Sequence, residues 1–282
     1  NLTSRYPAIK PWLHNFGDLT QQELVIGFLF FLVVVYFLKM IFLALLAYKQ
    51  SKFIYSIQSF FSQKLFAGYL RQPYAFHLQR NSAQLIRNVT GMVAQMTSSL
   101  TSTLALLTEL FTVIGILIFL LYMEPLGTCL VAGILGLLSW AFQRLTRGRL
   151  LKWGKAFQFH EGMRIQHLQQ GLGGAKDVKL LGREEDFLNQ FRIHNAGSAK
   201  VGMRQQTLAA LPRLWLEMLA VAGMTLMVLF MLIQGKALNS ILPMLGLFAA
   251  AAFRLIPSLN RILGSAQNVR FAQPAVQTLS QE

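Results

Sequence analysis

The chain has 282 residues, of which 54% are hydrophobic and only 13% charged. Ordinary soluble domains carry about 25% charged residues. With a mean hydropathy of +0.45, this excludes a disordered chain, a collagen and a disulfide scaffold, and points to a polytopic, all-α membrane protein.

Net charge is +15, from 26 Lys and Arg against 11 Asp and Glu. The basic residues cluster between apolar runs, the distribution of cytoplasmic loop charge in a membrane protein. Nucleic acid is therefore not an expected partner. The single cysteine, Cys129, has no partner for an intrachain disulfide and no companions for a metal site. Inside its apolar run it reads as a small core residue.

In chain order, residues 1–23 form an opening segment. Ile9, Trp12, Leu13 and Phe16 fall at i, i+3, i+4 and i+7, Gly17 supplies a stop, and Pro7 and Pro11 keep the element short. The pattern predicts a short amphipathic helix lying on the outer face of a membrane. Thr20-Gln21-Gln22-Glu23 then fits a capping box.

Five long apolar segments follow, at 24–47, 101–123, 126–145, 209–233 and 241–263. A helix needs about 20 residues to cross a hydrocarbon core of about 30 Å. No segment alternates with period two, so helices rather than a barrel satisfy the backbone. Glu124-Pro125 and 234–240 make two short loops, whereas 48–100 and 146–208 are long. The first long connection holds Lys49, Lys52, Lys64, Arg71, Arg80 and Arg87 and no acidic residue, and the second is also rich in Lys and Arg. The Lys/Arg bias places both in the cytoplasm. That leaves the N-terminus outside, and a further span ahead of Asn1 is expected, making six.

The long connections read as helical hairpins. Leu, Phe, Ile and Met recur at three- and four-residue spacing along 48–70, 82–100, 146–170 and 175–208. Arms of about 25 residues would reach on the order of 35 Å into the cytosol. The first turn is expected at Arg71-Gln72-Pro73-Tyr74, where Pro ends a helix. The second is expected at Gly171-Leu172-Gly173-Gly174, where glycine permits positive φ.

Ionisable groups within spans are costly and mark function by default. Lys39, Arg213 and Arg254 each fall inside a span, toward the inner leaflet side in the assigned orientation. Three cations lining one cavity would suit an anionic lipid headgroup, since Arg grips phosphate bidentately and Lys acts as a point charge. Against this, Lys39 has a stem long enough to snorkel, and Glu217 follows Arg213 at i+4 as a neutralising partner. Glu109 is a lone acid in the second span, placed to pair with a cation or make a polar helix contact. Arg261 shares a helix face with Arg254.

His160 and His167 are seven residues apart and fit one helix face, but no third ligand joins them at metal-binding spacing. His14, His77 and His194 look scattered. No catalytic triad or paired-carboxylate arrangement stands out, which disfavours an integral-membrane glycosyltransferase. A P-loop is also missing: the glycines at 171–174 are not followed by Gly-Lys-Ser/Thr, and Lys176 precedes Asp177.

Two stretches carry a resemblance. The first is Tyr69-Leu70-Arg71-Gln72-Pro73-Tyr74-Ala75-Phe76-His77, with Ser82-Ala83-Gln84-Leu85-Ile86-Arg87-Asn88-Val89. The second is Gly174-Ala175-Lys176-Asp177-Val178-Lys179-Leu180-Leu181-Gly182-Arg183-Glu184-Glu185, then Phe187. In that order they resemble the cytoplasmic hairpins of ABC exporter transmembrane domains. Leu211-Pro212-Arg213-Leu214-Trp215-Leu216-Glu217 and Phe253-Arg254-Leu255-Ile256-Pro257-Ser258-Leu259-Asn260-Arg261-Ile262 look like PglK-type lipid-linked oligosaccharide flippases.

The resemblance implies a transmembrane domain at 24–263, with cytoplasmic hairpins at 48–100 and 146–208. Residues 264–282 would begin a linker to an ATPase domain. It implies coupling helices around Pro73–Asn81, including Tyr74, Phe76 and His77, and around Gly173–Val178, including Gly174, Ala175, Lys176 and Asp177. The second would reach the ATPase domain of the opposite subunit in a homodimer. Tyr74, Phe76 and Leu78 fit a docked tip, as apolar side chains there need a partner. Lys39, Arg213 and Arg254 correspond to cavity-lining basic residues, with Lys39 standing where the family has Arg. The expected substrate is a polyprenyl-pyrophosphate-linked oligosaccharide, with another exporter cargo (a lipid A-like lipid, a peptide or a drug) as the alternative, and the expected location is a bacterial inner membrane. ATP and Mg would belong to the ATPase domain, and no cofactor is expected in this chain.

Overall fold

The computed structural model describes residues 21–123, 125–233 and 238–282, and within these helices some side chains, that of Arg254 among them, lie outside the description. The amphipathic segment around Trp12 and the capping residue Thr20 fall outside the described residues. Among the described residues the fold is wholly helical: α1 Gln21–Leu70, α2 Tyr74–Gln79, α3 Ser82–Arg87, a π-helical turn Asn88–Met92, α4 Val93–Met123, α5 Pro125–Gly173, α6 Ala175–Leu181, α7 Glu184–Ile233 and α8 Leu238–Leu279.

The chain divides into two units, 1–55 and 56–282. In the first, the described residues are continuous helix. Its apolar side chains are exposed all round, including Phe30, Phe31, Val33, Phe37 and Phe42. A helix apolar on every side belongs in lipid or in a large core. Stretches Val25–Leu70, Ser82–Tyr122 and Glu184–Leu226 are long and apolar enough to cross a membrane. The expected spans at 126–145 and 241–263 lie within α5 and α8, where many side chains are outside the description.

In the second unit, α8 is the central element. It packs most extensively on α4 and also on α5 and α7, which pair with each other. Val93 of α4, Leu150 of α5, Leu216 of α7 and Leu263 of α8 are fully buried where these helices meet. Phe142 of α5 meets Trp215 of α7 with ring centroids 5.8 Å apart. Phe157 of α5 meets Phe271 of α8 at 5.5 Å. Gly154 makes this α5–α8 approach possible, because a Cβ there would collide with the Phe271 carbonyl oxygen.

Hydroxyls in α4 need no outside partner. Thr97, Thr101, Thr103, Thr108 and Thr112 each donate to a carbonyl one turn back. Such back-bonding satisfies a hydroxyl where no water is at hand. Cys129, expected in the core, is exposed. An exposed apolar thiol suits a lipid-facing surface rather than a protein core.

α5 has 49 residues and α7 has 50, lengths of about 75 Å. Each exceeds a bilayer core more than twofold, so each runs unbroken from an expected span into an expected cytoplasmic arm. Pro212 lies inside α7 without ending it. It is fully buried, and its missing N–H leaves the Leu208 carbonyl without its helical donor.

Candidate functional site: hairpin tips and intramembrane charges

The first hairpin turns where Pro73 predicts. Pro73 takes φ −58° and ψ 153° and starts α2. Phe76 stacks on Tyr69 with centroids 6.2 Å apart, and His77 meets Phe76 edge-on. The Arg80 guanidinium lies 5.7 Å from the Phe76 ring centroid. Tyr74 and Leu78 are left 76% and 70% exposed, an apolar surface at a solvated tip. Asn81 caps α3, its side chain accepting from the Ala83 N–H at 2.9 Å.

The second tip differs from the expected glycine turn. Gly174 has φ −98°, and Ala175–Leu181 is a separate short helix carrying Lys176 and Asp177. The left-handed residue is Gly182, with φ 62°. The reversal is thus made in two steps, at Gly174 and at Gly182, with α6 lying between them. Glycine spacing alone did not distinguish a tight turn from a helix bounded by two breaks.

The two tips meet. A cleft of about 620 Å³ lies between Arg80, Asn81 and Ser82 on one side and Gln166, Gln169 and Gly174 on the other. Gln169 Nε2 donates to Ser82 Oγ across it at 2.8 Å. Arg87 Nη1 donates to the Gln158 carbonyl at 3.1 Å, and burial pushes this guanidinium below its ordinary pKa. Nearby, Asn88 Nδ2 donates to Tyr69 Oη at 3.1 Å and to Glu282 Oε1 at 3.3 Å. Tyr69 donates to Glu282 Oε2 at 3.1 Å. Burial, chiefly, raises the Tyr69 pKa.

Of the three intramembrane cations, Arg213 is on α7 with its side chain 68% exposed, and its Nε donates to Glu217 Oε1 at 2.8 Å. Its neutralising partner is therefore the i+4 acid. Lys39 belongs to the first unit, with Nζ 5.1 Å from the Tyr36 ring centroid. Arg254 is in α8, and its side chain lies outside the described residues. Glu109 is claimed by Arg261: Nε donates to Oε1 at 2.6 Å, joining α4 to α8, with Glu109 only 14% exposed. Its second oxygen is buried without a partner.

His160 and His167 fit one face of α5, and packing of α5 against α7 brings His194, which the spacing leaves apart, up to both. His160 Nδ1 and His194 Nδ1 are 3.2 Å apart, and His167 stacks on His194 with centroids 5.4 Å apart. No linear spacing links positions 160 and 194, since they sit on opposite arms of one hairpin. Among the described residues no group of three potential ligands holds metal-binding geometry. The 171–174 glycines do not suit a nucleotide either. They follow a helix rather than a strand and open a helix of only seven residues, so no phosphate cradle forms there.

Two long helical hairpins share a cleft near their tips, each with a short helix at its turn, on helices long enough to continue as membrane spans. The chain belongs to the ABC transporter transmembrane region family, which it matches over residues 8–254. It is 26% identical over 200 residues to an ATP-dependent lipid A-core flippase of Cupriavidus pinatubonensis, covering 71% of this chain and 34% of that protein. A protein of the same name from Ralstonia nicotianae is 27% identical over 175 residues, 62% of this chain and 29% of its own length. The uncharacterized ABC transporter ATP-binding protein YfiC of Bacillus subtilis is 26% identical over 147 residues, 52% of this chain and 24% of its own length. The matched stretch thus spans about a quarter to a third of each relative.

Proposed function

We propose that this chain is the membrane half of an ATP-driven flippase for a polyprenyl-pyrophosphate-linked oligosaccharide. It would act as a homodimer in a bacterial inner membrane, with each membrane domain served by an ABC ATPase domain. The observation that carries the reading is Arg213. Its guanidinium is 68% exposed, on the same unbroken helix that begins just after the second hairpin tip.

The mechanics follow from that continuity. ATP binding would belong to the ATPase domains. Their movement would reach this chain at Pro73, Tyr74, Phe76 and His77 and at Gly173, Gly174, Ala175, Lys176 and Asp177. Because the tips share a cleft, they would shift together. α5 and α7 would act as levers, turning a tip displacement into rearrangement of their own membrane segments. Two-state access follows if nucleotide binds one arrangement better than the other. Arg213 and Arg254, with Lys39, would hold the pyrophosphate. Exposed ion pairs contribute little energy, so a phosphate can displace Glu217 from Arg213 and gain bidentate contact.

A second reading has its own support. The relatives from Cupriavidus and Ralstonia are named for lipid A-core, another phosphate-bearing lipid, and the same cations would serve it. The test is R213Q/R254Q in the complete transporter, reconstituted in vesicles with each lipid in turn. Loss of oligosaccharide-lipid flipping with basal ATPase retained supports the first reading. Flipping of lipid A-like lipid alone supports the second. Unchanged transport removes the proposed site.

A further inference from the structure

The strongest unassigned feature is the histidine cluster in the second cytoplasmic hairpin. It lies seven to fourteen residues from the breaks that bound α6, since His167 and His160 precede Gly174 by seven and fourteen positions and His194 follows Gly182 by twelve. That is roughly 10–20 Å of helix. Both arms contribute: His160 and His167 from α5, His194 from α7.

The geometry of the close pair is selective for protonation state. At 3.2 Å between the two Nδ1 atoms, one ring donates its N–H and the other accepts it. Protonating the acceptor leaves two N–H groups facing each other and puts a positive charge on one ring or both. The third ring, His167, lies flat against His194 with 24° between planes, and its Nε2 is buried without a partner. Phe159 closes another side, 5.7 Å from His194 by ring centroids. Gly197 of α7 lets the His160 ring lie against the backbone, where any Cβ would collide with it.

The surroundings offer little compensation. On α5, Glu161 is engaged with Arg164 and accepts from Ser198 Oγ of α7 at 3.3 Å. Arg164 also reaches Asn195 of α7. From α3, Arg87 places its guanidinium against Gly162. From α8 and the residues just after it, Pro274, Gln277, Thr278 and Gln281 lie beside this stretch of α5, none of them titratable, and Lys155 of α5 lines the same cleft. The local carboxylate is thus already shared by two cations, Arg164 and Arg87.

We propose that His160, His167 and His194 form a proton-sensitive latch, holding the arms of the second hairpin together at neutral pH and releasing them on acidification. The latch would make delivery of motor movement through α6 depend on cytoplasmic pH. This consequence rests on the docking role proposed above for α6; the latch itself does not.

His194 is held below the ordinary imidazole pKa, first by desolvation and then by His167 and His160. The sign follows. The unfolded or opened imidazole takes up a proton near pH 6.5 and the packed one at lower pH. Closure is therefore fully favoured above about pH 6.5 and is lost progressively as pH falls below it.

The test is a distance measurement in the complete transporter in nanodiscs. Spin labels replace Leu168 on α5 and Ile193 on α7, both exposed, in a Cys129→Ser background, and spectra are taken between about pH 7.5 and about pH 5.5. The distance should lengthen or broaden below about pH 6.5, with the open population rising up to about tenfold per pH unit for each proton bound. H194Q should abolish the step. H160Q/H167Q, which leaves His194 without imidazole neighbours, should abolish it too and serves if H194Q does not fold. An unchanged distance in the parent, or the same pH step in both variants, overturns the latch. A step without lipid flipping would leave the latch standing and count against the cargo reading alone.

Discussion

Gly154 and Gly148 are one helix position type with opposite expected responses. Both lie inside α5. A Cβ added at Gly148 meets nothing within 4 Å, whereas one added at Gly154 would overlap the Phe271 carbonyl oxygen and sit 3.3 Å from Pro274 Cγ. Alanine in place of glycine in a helix interior favours the helix by about 1 kcal/mol. At Gly148 nothing opposes that gain. At Gly154 the contact is with backbone and a buried proline, which cannot rotate away, so α5 and α8 must separate. Overpacking of this kind costs about 1–3 kcal/mol and sometimes more. The net expectation is a gain of about 1 kcal/mol for G148A and a loss of about 1–2 kcal/mol for G154A. Thermal unfolding of the complete transporter in detergent checks both. For chains of this size class each kcal/mol moves Tm by roughly 2–4 °C. G148A should rise and G154A should fall. A G154A protein that rises with G148A would refute the close α5–α8 packing at Phe271.

G182A places a side chain at φ 62°, costing roughly 1–2 kcal/mol. It should lower lipid-stimulated ATPase more than basal ATPase, with Gly182→Asn milder. N81A removes the cap on the Ala83 N–H and should cost about 1 kcal/mol, seen as faster proteolysis at the first tip. E109Q removes the charge opposite Arg261 and should lower Tm. The swap Glu109→Arg with Arg261→Glu should recover part of that loss if the pair is a clamp between α4 and α8. R213Q/R254Q should reduce flipping of the pyrophosphate-linked lipid at least about tenfold, the worth of a lost charge-assisted contact, while basal ATPase stays.

Much of the fold was legible because lipid imposes a one-dimensional rule. A helix must be about 20 residues long and apolar to cross, so hydropathy alone pointed to the membrane-length apolar helices within Val25–Leu70, Ser82–Tyr122 and Glu184–Leu226. Pro73 was enough to place the first reversal, since its ring excludes continued helix. The i+4 spacing of Arg213 and Glu217 announced an ion pair that the structure contains. The hairpin motifs at 69–89 and 174–187 pointed to the family that the match over 8–254 establishes.

Local periodicity carried no information about partners on other helices. Glu109 and Arg261 are 152 positions apart, and their pairing depends on how α8 seats on α4. The sharing of one cleft by Ser82 and Gln169 follows from the lateral packing of two hairpins. The shape of the second tip was ambiguous for a related reason. Glycine permits a left-handed residue without requiring one, and among the described residues only Gly182 is so used. Cys129 was misplaced because apolar surroundings in the sequence mean core in water but outer surface in lipid. The histidines are the clearest case. Side chains 34 positions apart meet at 3.2 Å only because α5 and α7 run back along each other and Gly197 offers no Cβ. Composition, the apolar runs and the clustering of basic charge between them are thus properties of the chain alone, set by the bilayer as solvent. Which charges pair, which tips touch and which rings share a proton are settled by helix-on-helix packing, where a few ångströms of backbone approach decide the contact.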